Sequence, residues 1–179
     1  LERRFRGNAR LRPVPGDART MELAKVVTPG TPYVAVGNLP YFAANPIIRH
    51  LLEAPHKPSE LVVMVQREVA REITAPAGDW SLLTISVQLY AQPELLFDVP
   101  PEAFDPPPAV VSSVVRMTLR PEPLVPFEQI DAFFEFVSRV FRNPRKHLHN
   151  ALTMGVGLPK GGAGIALEMS GIDPMRRPE

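Results

Sequence analysis

Two apolar runs of strand length, Tyr33-Val34-Ala35-Val36-Gly37 and Leu61-Val62-Val63-Met64-Val65, limit the folds open to this chain more than any other feature. Neither alternates polar with apolar residues, so each reads as a strand covered on both faces. Between them Asn45-Pro46 supplies an N-cap and a proline at the first helical position for Ile47 to Ala54, where Ile47, Ile48, Leu51 and Leu52 share one face. Strand, helix, strand describes a crossover between parallel neighbours, which a tight turn cannot join. The expected architecture is α/β, a parallel sheet with helices on both faces.

The pattern continues with helical stretches Arg67 to Thr74 and Ser81 to Tyr90, then strands Glu94 to Val99 and Val111 to Leu119. The proline-rich Phe104-Asp105-Pro106-Pro107-Pro108 joins these last two. So short a connection predicts an antiparallel pair at one edge. Upstream, the charged opening to Arg10 reads as the end of a helix, Leu11 to Val14 as a short strand and Met21 to Val27 as a short helix. The chain reads as if it starts mid-fold.

Proline makes up 22 of the 179 residues, more than twice the usual share of about 5%. Three of these prolines fall in Arg120-Pro121-Glu122-Pro123-Leu124-Val125-Pro126, a stiff linker that neither helix nor central strand tolerates. The boundary is placed there, giving a sheet domain over 1–120 and a helical domain over 121–179. In the second, Ile130, Phe133, Phe134, Val137, Val140 and Phe141 mark an amphipathic helix over Phe127 to Phe141, and Pro144 opens another running to Met154. The glycine-rich tail from Gly155 reads as a flexible connection, and Gly171-Ile172-Asp173-Pro174 as a turn that could start one more helix, which the chain does not contain. Gly155-x-Gly157 and Lys160-Gly161-Gly162 are not a phosphate loop, because no strand precedes them and no Gly-Lys-(Ser/Thr) occurs.

Several chemistries drop out. There is no cysteine, so this chain has no thiol nucleophile, thiolate metal site or disulfide, and four scattered histidines do not make a metal site. His50, His56 and Trp80 have no evident partners and read as structural or surface residues. No apolar run approaches the roughly 18 residues of a membrane helix, and Leu1-Glu2-Arg3-Arg4 is no secretion signal, so a cytoplasmic location is expected. A net charge of +1 is neutral about nucleic acid but leaves room for a local patch.

That patch is Arg142, Arg145, Lys146, His147 and His149, a run that by itself reads as a solvated helix face. The second constellation is Asn38-Leu39-Pro40-Tyr41, directly after the first strand. It puts a side-chain amide, a main-chain carbonyl and an aromatic ring at the C-terminal edge of the sheet, where open α/β sheets bind ligands. An exocyclic adenine amine is a poor nucleophile, its lone pair being delocalised into the ring. Two acceptors on its hydrogens, the Asn38 oxygen and a carbonyl of Leu39 or Pro40, can pull the nitrogen toward tetrahedral geometry, with proline fixing the backbone. Tyr41 can stack on the base, as enzymes acting on extruded bases require. The same four residues also suit an ordinary strand-ending turn with a core tyrosine.

Asn38-Leu39-Pro40-Tyr41 resembles the amino-methyltransferase signature in the form found in the rRNA adenine-N6,N6-dimethyltransferase family, the KsgA-type enzymes and their macrolide-resistance relatives. Gly16-Asp17-Ala18, Gln66-Arg67-Glu68-Val69-Ala70, the segment from Phe104 to Val115, the segment from Phe141 to Leu152 and Gly171-Ile172-Asp173-Pro174 resemble further segments of that family in the same order. The resemblance implies a Rossmann-like, S-adenosylmethionine-dependent methyltransferase sheet, partial here, followed by a small all-helical RNA-binding domain. It further implies that Asp17 and Ala18 lie at the cofactor, Asn38 between cofactor and target amine, and Tyr41 and Phe104 on either side of the adenine, with Arg142, Arg145 and Lys146 on RNA. Taken alone, Asp17 is equally a helix N-cap and Phe104 a core plug. The implied partner is small-subunit rRNA in the pre-ribosomal small subunit, met by a monomer without a metal. A large-subunit rRNA methyltransferase and a non-catalytic RNA- or DNA-binding factor are the alternatives. The family's glycine-rich loop and its second acidic residue do not occur before Asp17, so the chain is expected to lack two or three strands of the parent sheet and not to methylate by itself.

Overall fold

The computed structural model describes residues 7–159 and 161–179. The expectations for residues 1–6 and Lys160 lie outside the described residues. Four strands, β1 (Val34–Asn38), β2 (Glu60–Gln66), β3 (Ala91–Val99) and β4 (Ser112–Leu119), form one sheet in the order β1-β2-β4-β3. β1 and β2 are parallel, joined through helix α1 (Ala44–Glu53), while β4 runs antiparallel to both β2 and β3. The predicted hairpin at one edge is therefore present, with β4 inserted between β3 and the parallel pair.

Helices α2 (Arg67–Ile73) and α3 (Leu82–Gln88) complete the first half. Ser81 caps α3 in a capping box with Thr84, and the Thr84 hydroxyl also donates to the Glu72 carbonyl at 2.7 Å, tying α3 to α2. α1 starts one residue before the expected Asn45 cap, because the 3-10 turn Tyr41–Ala43 runs straight into it. Pro46 still sits in the first turn, where its missing N–H breaks no helical bond. Ile47, Ile48 and Leu52 are buried on the predicted face, each contributing about 1.5–3 kcal/mol relative to exposure.

The sheet is covered on one face among the described residues, and the expectation of helices on both faces is corrected accordingly. Residues paired across a register point to the same side. Ala35, Leu61, Val63, Val65, Val115 and Met117 meet α1, α2, α3 and Ile130 in one apolar cluster. On the opposite face Val34, Val36 and Phe97 are 51%, 79% and 56% exposed. β1 is an outer strand of the four, so its continuous apolar run is not buried twice.

The N-terminal segment also differs from expectation. Leu11 to Val14 forms no strand. Pro13 and Pro15 cannot donate to a ladder, and the Arg12 guanidinium instead binds the Lys25 and Val26 carbonyls at 2.9 and 2.8 Å. The helix expected over Met21 to Val27 is only the 3-10 turn Leu23–Lys25.

Beyond the linker, which is pinned to the sheet by the Arg120 and Leu124 amides on the Tyr90 and Leu89 carbonyls, come α4 (Ile130–Val140), α5 (Leu148–Val156) and α6 (Gly162–Met169). The start of α4 packs on the sheet domain through Ile130, Phe133 and Phe134. Val140 joins Ala151, Leu152, Ala163 and Leu167 in a second cluster. Residues 141–147 are a turn-rich loop rather than the start of a helix at Pro144. The tail after Asp173 folds back on α5: the Arg176 and Pro174 carbonyls accept from the Leu148 and His149 amides, supplying the first turn of α5 with partners.

At Gly155 α5 passes tightly against α4, since a Cβ there would fall on the Arg139 carbonyl oxygen. Gly155→Ala is expected to destabilise the fold by about 1–3 kcal/mol, the usual cost of overpacking, despite alanine's better helix propensity. Thermal unfolding checks this, and a stabilised variant would show that the two helices are not so close.

Candidate active site

The register brings three segments to one rim of the sheet. Asn38 ends β1 opposite Met64, and Gln66 ends β2 opposite Ser112, which also pairs with Val99. The loop 100–111, with Phe104, therefore leaves and re-enters the sheet beside the turn that carries Tyr41. The predicted residues Asn38, Leu39, Pro40, Tyr41 and Phe104 thus belong to neighbouring segments of the rim.

Their local geometry is specific. The Leu39 amide donates to the Met64 carbonyl at 3.3 Å, continuing the parallel ladder one residue past β1. Pro40 is extended, with φ −64° and ψ 131°, and its carbonyl accepts from the Ala43 amide at 2.9 Å. Among the described residues the Leu39 carbonyl has no such protein donor, which separates the two candidates left open by sequence: Leu39 offers the freer acceptor. Asn38 is exposed at the strand end, while the Leu39 side chain is buried in the core. The half-buried Tyr41 places its hydroxyl 2.7 Å from the Ser112 hydroxyl. Phe104 is also half-buried and, among the described residues, makes no direct ring pair with Tyr41; the ring pairs are Tyr33–His56 and Phe133–Phe134.

Asp17 and Ala18 are exposed, and among the described residues no hydrogen bond joins them to 38–41. Both oxygens of Asp17 engage Arg19, which donates through Nε at 3.0 Å to each and through Nη2 at 2.6 Å. The Arg19 side chain first, and its backbone N–H second, pull the Asp17 carboxyl from 3.8 to about 2. The group is therefore ionised at neutral pH, and the pairing is lost only as pH falls through the folded value. The segment is anchored to α1 by His50, whose Nε2 lies 2.8 Å from the Met21 carbonyl. His56 lies 3.1 Å from the Thr31 carbonyl and stacks on Tyr33, so both histidines are structural.

Arg142, Arg145 and Lys146 line a shallow cleft of about 430 Å³ with Asn143 and Pro144. They are brought together on a loop, not on the helix face that was the alternative from sequence. The Lys146 amide closes a turn on the Asn143 carbonyl at 3.0 Å.

Sequence reasoning missed three features of the rim. Ser112 and Ser113, the first residues of β4, are fully buried polar residues. Ser113 donates to Asp98 at 2.5 Å, and Asp98 faces Arg67 at 3.9 Å. Phe42, beside Tyr41, is 86% exposed. Its position next to an aromatic on a turn was the one available signal.

This sheet, covered on one face among the described residues and followed by helices, has the Rossmann-like fold of rRNA methyltransferases. The crystal structure of the 23S rRNA methyltransferase ErmE is similar with a TM-score of 0.72 and 26% identity, covering 99% of this chain and 71% of that one. A dimethyladenosine transferase from Plasmodium falciparum gives 0.71 and 25%, covering 97% and 62%. A model of the family described as ribosomal RNA adenine dimethylase matches residues 1–161, and the chain belongs to that family. The Ribosomal RNA small subunit methyltransferase A of Desulfitobacterium hafniense is 45% identical over 148 residues, 82% of this chain and 53% of that protein. That of Dehalococcoides mccartyi strain CBDB1 is 38% identical over 179 residues, 100% of this chain and 62% of that protein. The chain thus spans a little over half to about three-fifths of the length of these relatives.

Proposed function

We propose that the complete protein transfers methyl groups from S-adenosylmethionine to N6 of adenines in small-subunit rRNA, twice per base. The observation that carries this reading is the pairing, at one rim, of the exposed Asn38 amide with the Leu39 carbonyl that the turn leaves free. The Asn38 oxygen and the Leu39 carbonyl accept the two amine hydrogens in the first transfer and the one that remains in the second, leaving the nitrogen lone pair free for in-line attack; as each N–C bond forms the methyl–sulfur bond breaks, its electron pair staying on sulfur, and N6 sheds one proton to solvent. Tyr41 and Phe104 stack on the two faces of the adenine, and Pro40 holds the carbonyl in place. Positioning and amine activation suffice, without a strong general base or a metal.

The cofactor supplies an electrophilic methyl group. Asn38 lies at the sheet edge where it would border the cofactor, and Asp17 and Ala18 would hold the cofactor's adenine. Asp17 fits as an ionised acceptor, but its oxygens are held by Arg19, so Arg19 must share or move. Arg142, Arg145 and Lys146 hold RNA phosphates, and the protein acts as a cytoplasmic monomer on the pre-ribosomal small subunit. Residues 1–120 form the catalytic part and 121–179 the RNA-binding part. Among the described residues no helix is long and apolar enough to cross a membrane.

The 45% identity to a small-subunit enzyme supports that substrate, while the likeness to ErmE keeps large-subunit rRNA as the second reading. Unmethylated small-subunit particles and large-subunit rRNA, each incubated with the complete protein and S-adenosylmethionine, are digested and analysed by mass spectrometry. N6,N6-dimethyladenosine in the small-subunit sample alone is expected. Its appearance only in large-subunit rRNA favours the second reading, and its absence from both contradicts an enzyme.

Arg145→Ala with Lys146→Ala is expected to weaken RNA binding and to flatten the slope of log affinity against log salt by about 2, near one unit for each phosphate no longer neutralised. A titration from low to moderate salt checks this, and an unaltered slope would place the cluster off the RNA.

A further inference from the structure

Ser112 is fully buried at the first position of β4, between Gln66 of β2 and Val99 of β3. A hydroxyl held there has a fixed origin, because two strands pin its backbone. Its partner is the phenol of Tyr41, 71 positions away in the chain, at 2.7 Å. Tyr41 stands on a single 3-10 turn after Pro40, a mount that restrains the ring far less than a strand does. A buried hydroxyl needs a partner, and a tyrosine serving only as apolar filler would not need to direct its phenol at the Ser112 oxygen on the adjoining strand end.

Ser113, next along β4, supplies the contrast. Successive strand residues point to opposite faces. Ser113 is spent on Asp98 of the β3–β4 hairpin, whereas Ser112 is spent on the rim segment that carries Asn38 and Tyr41.

We propose that Ser112 is a positioning residue for methyl transfer: its hydroxyl fixes the Tyr41 ring in the plane against which the target adenine stacks. The proposal rests on the reading of Tyr41 as a base-stacking residue. A ring held in advance loses no freedom when the base arrives, so the effect falls on the rate of the bound complex more than on RNA affinity, which phosphate contacts dominate.

The test uses the complete protein with ring-labelled tyrosine, the Tyr41 signal being assigned by its loss in Tyr41→Phe. Ser112→Ala is expected to shift that signal and to slow single-turnover transfer at saturating RNA about five- to tenfold, the order of one net hydrogen bond, with RNA affinity within about twofold. Ser112→Thr restores signal and rate. Ser113→Ala leaves the Tyr41 signal in place, whatever it does to stability. Tyr41→Phe slows transfer as much as Ser112→Ala, and the double variant no more than either, as for two ends of one bond. A Tyr41 signal unmoved by Ser112→Ala, a shifted signal with unchanged transfer, or losses that multiply in the double variant would each overturn the proposal. Absence of transfer by the unaltered protein is a separate outcome, which overturns the functional reading and the proposal with it.

Discussion

Asn38→Ala in the complete protein is expected to lower methyl transfer by about 10²- to 10³-fold, the range for removing one preorganised group that faces a reacting centre, while RNA affinity stays within about twofold. The amide sits at the end of β1, its backbone held by parallel pairing with Met64. Its replacement by a methyl group leaves the strand intact and takes away one of two acceptors. The remaining one, the Leu39 carbonyl, cannot by itself direct the amine lone pair. Single-turnover rates and RNA binding, measured side by side, separate the alternatives. A non-catalytic RNA-binding factor predicts that binding is indifferent to the change and that there is no transfer to lose. An enzyme that keeps its full rate without Asn38 would require a different amine-binding group.

Tyr41 is expected to show graded losses. Tyr41→Ala removes both the ring and the phenol and lowers transfer about 10- to 100-fold, as the roughly 1–3 kcal/mol of a base–aromatic stack implies. Tyr41→Phe keeps the ring, gives up the bond to Ser112 and costs only about five- to tenfold. Transfer rates for the three forms, with unfolding curves to show that each is folded, decide the matter. Equal losses in the two variants would mean that the hydroxyl, not the stacking face, is what the reaction uses.

What the sequence made legible was local. The apolar runs at 33–37 and 61–65 became β1 and β2, the face of Ile47, Ile48 and Leu52 became the buried face of α1, and the short link across 100–111 did make an antiparallel pair. With them came the position of Asn38 to Tyr41 at the end of β1, because a polar turn closing an apolar strand is itself a local pattern. What stayed hidden depended on distant partners. α6 contains Gly162 and Gly164, which argue for a loop at about 1 kcal/mol each against alanine; Ala163 and Leu167 packing on Ala151 and Leu152 override that preference. The sheet's bare face was equally illegible, since an apolar run tells how much a strand can bury but not which neighbours bury it.

The site shows the same division. Leu39 and Pro40 were equivalent acceptors on paper, and only the Pro40 turn onto Ala43 distinguishes them. Ser112 read as one polar residue in a strand pattern, its meaning fixed by a partner 71 positions distant. For Asp17 the resemblance implied a cofactor contact and the residues alone an N-cap equally well; its pairing with Arg19 became visible with the structure.

The most direct measurement is a crystal structure of the complete protein bound to S-adenosylmethionine and an RNA carrying the target adenine. The adenine N6 is expected within about 2.7–3.2 Å of both the Asn38 side-chain oxygen and the Leu39 carbonyl, with the base stacked on Tyr41. An amine bound by the Pro40 carbonyl, or a base seated away from residues 38–41, would contradict the account.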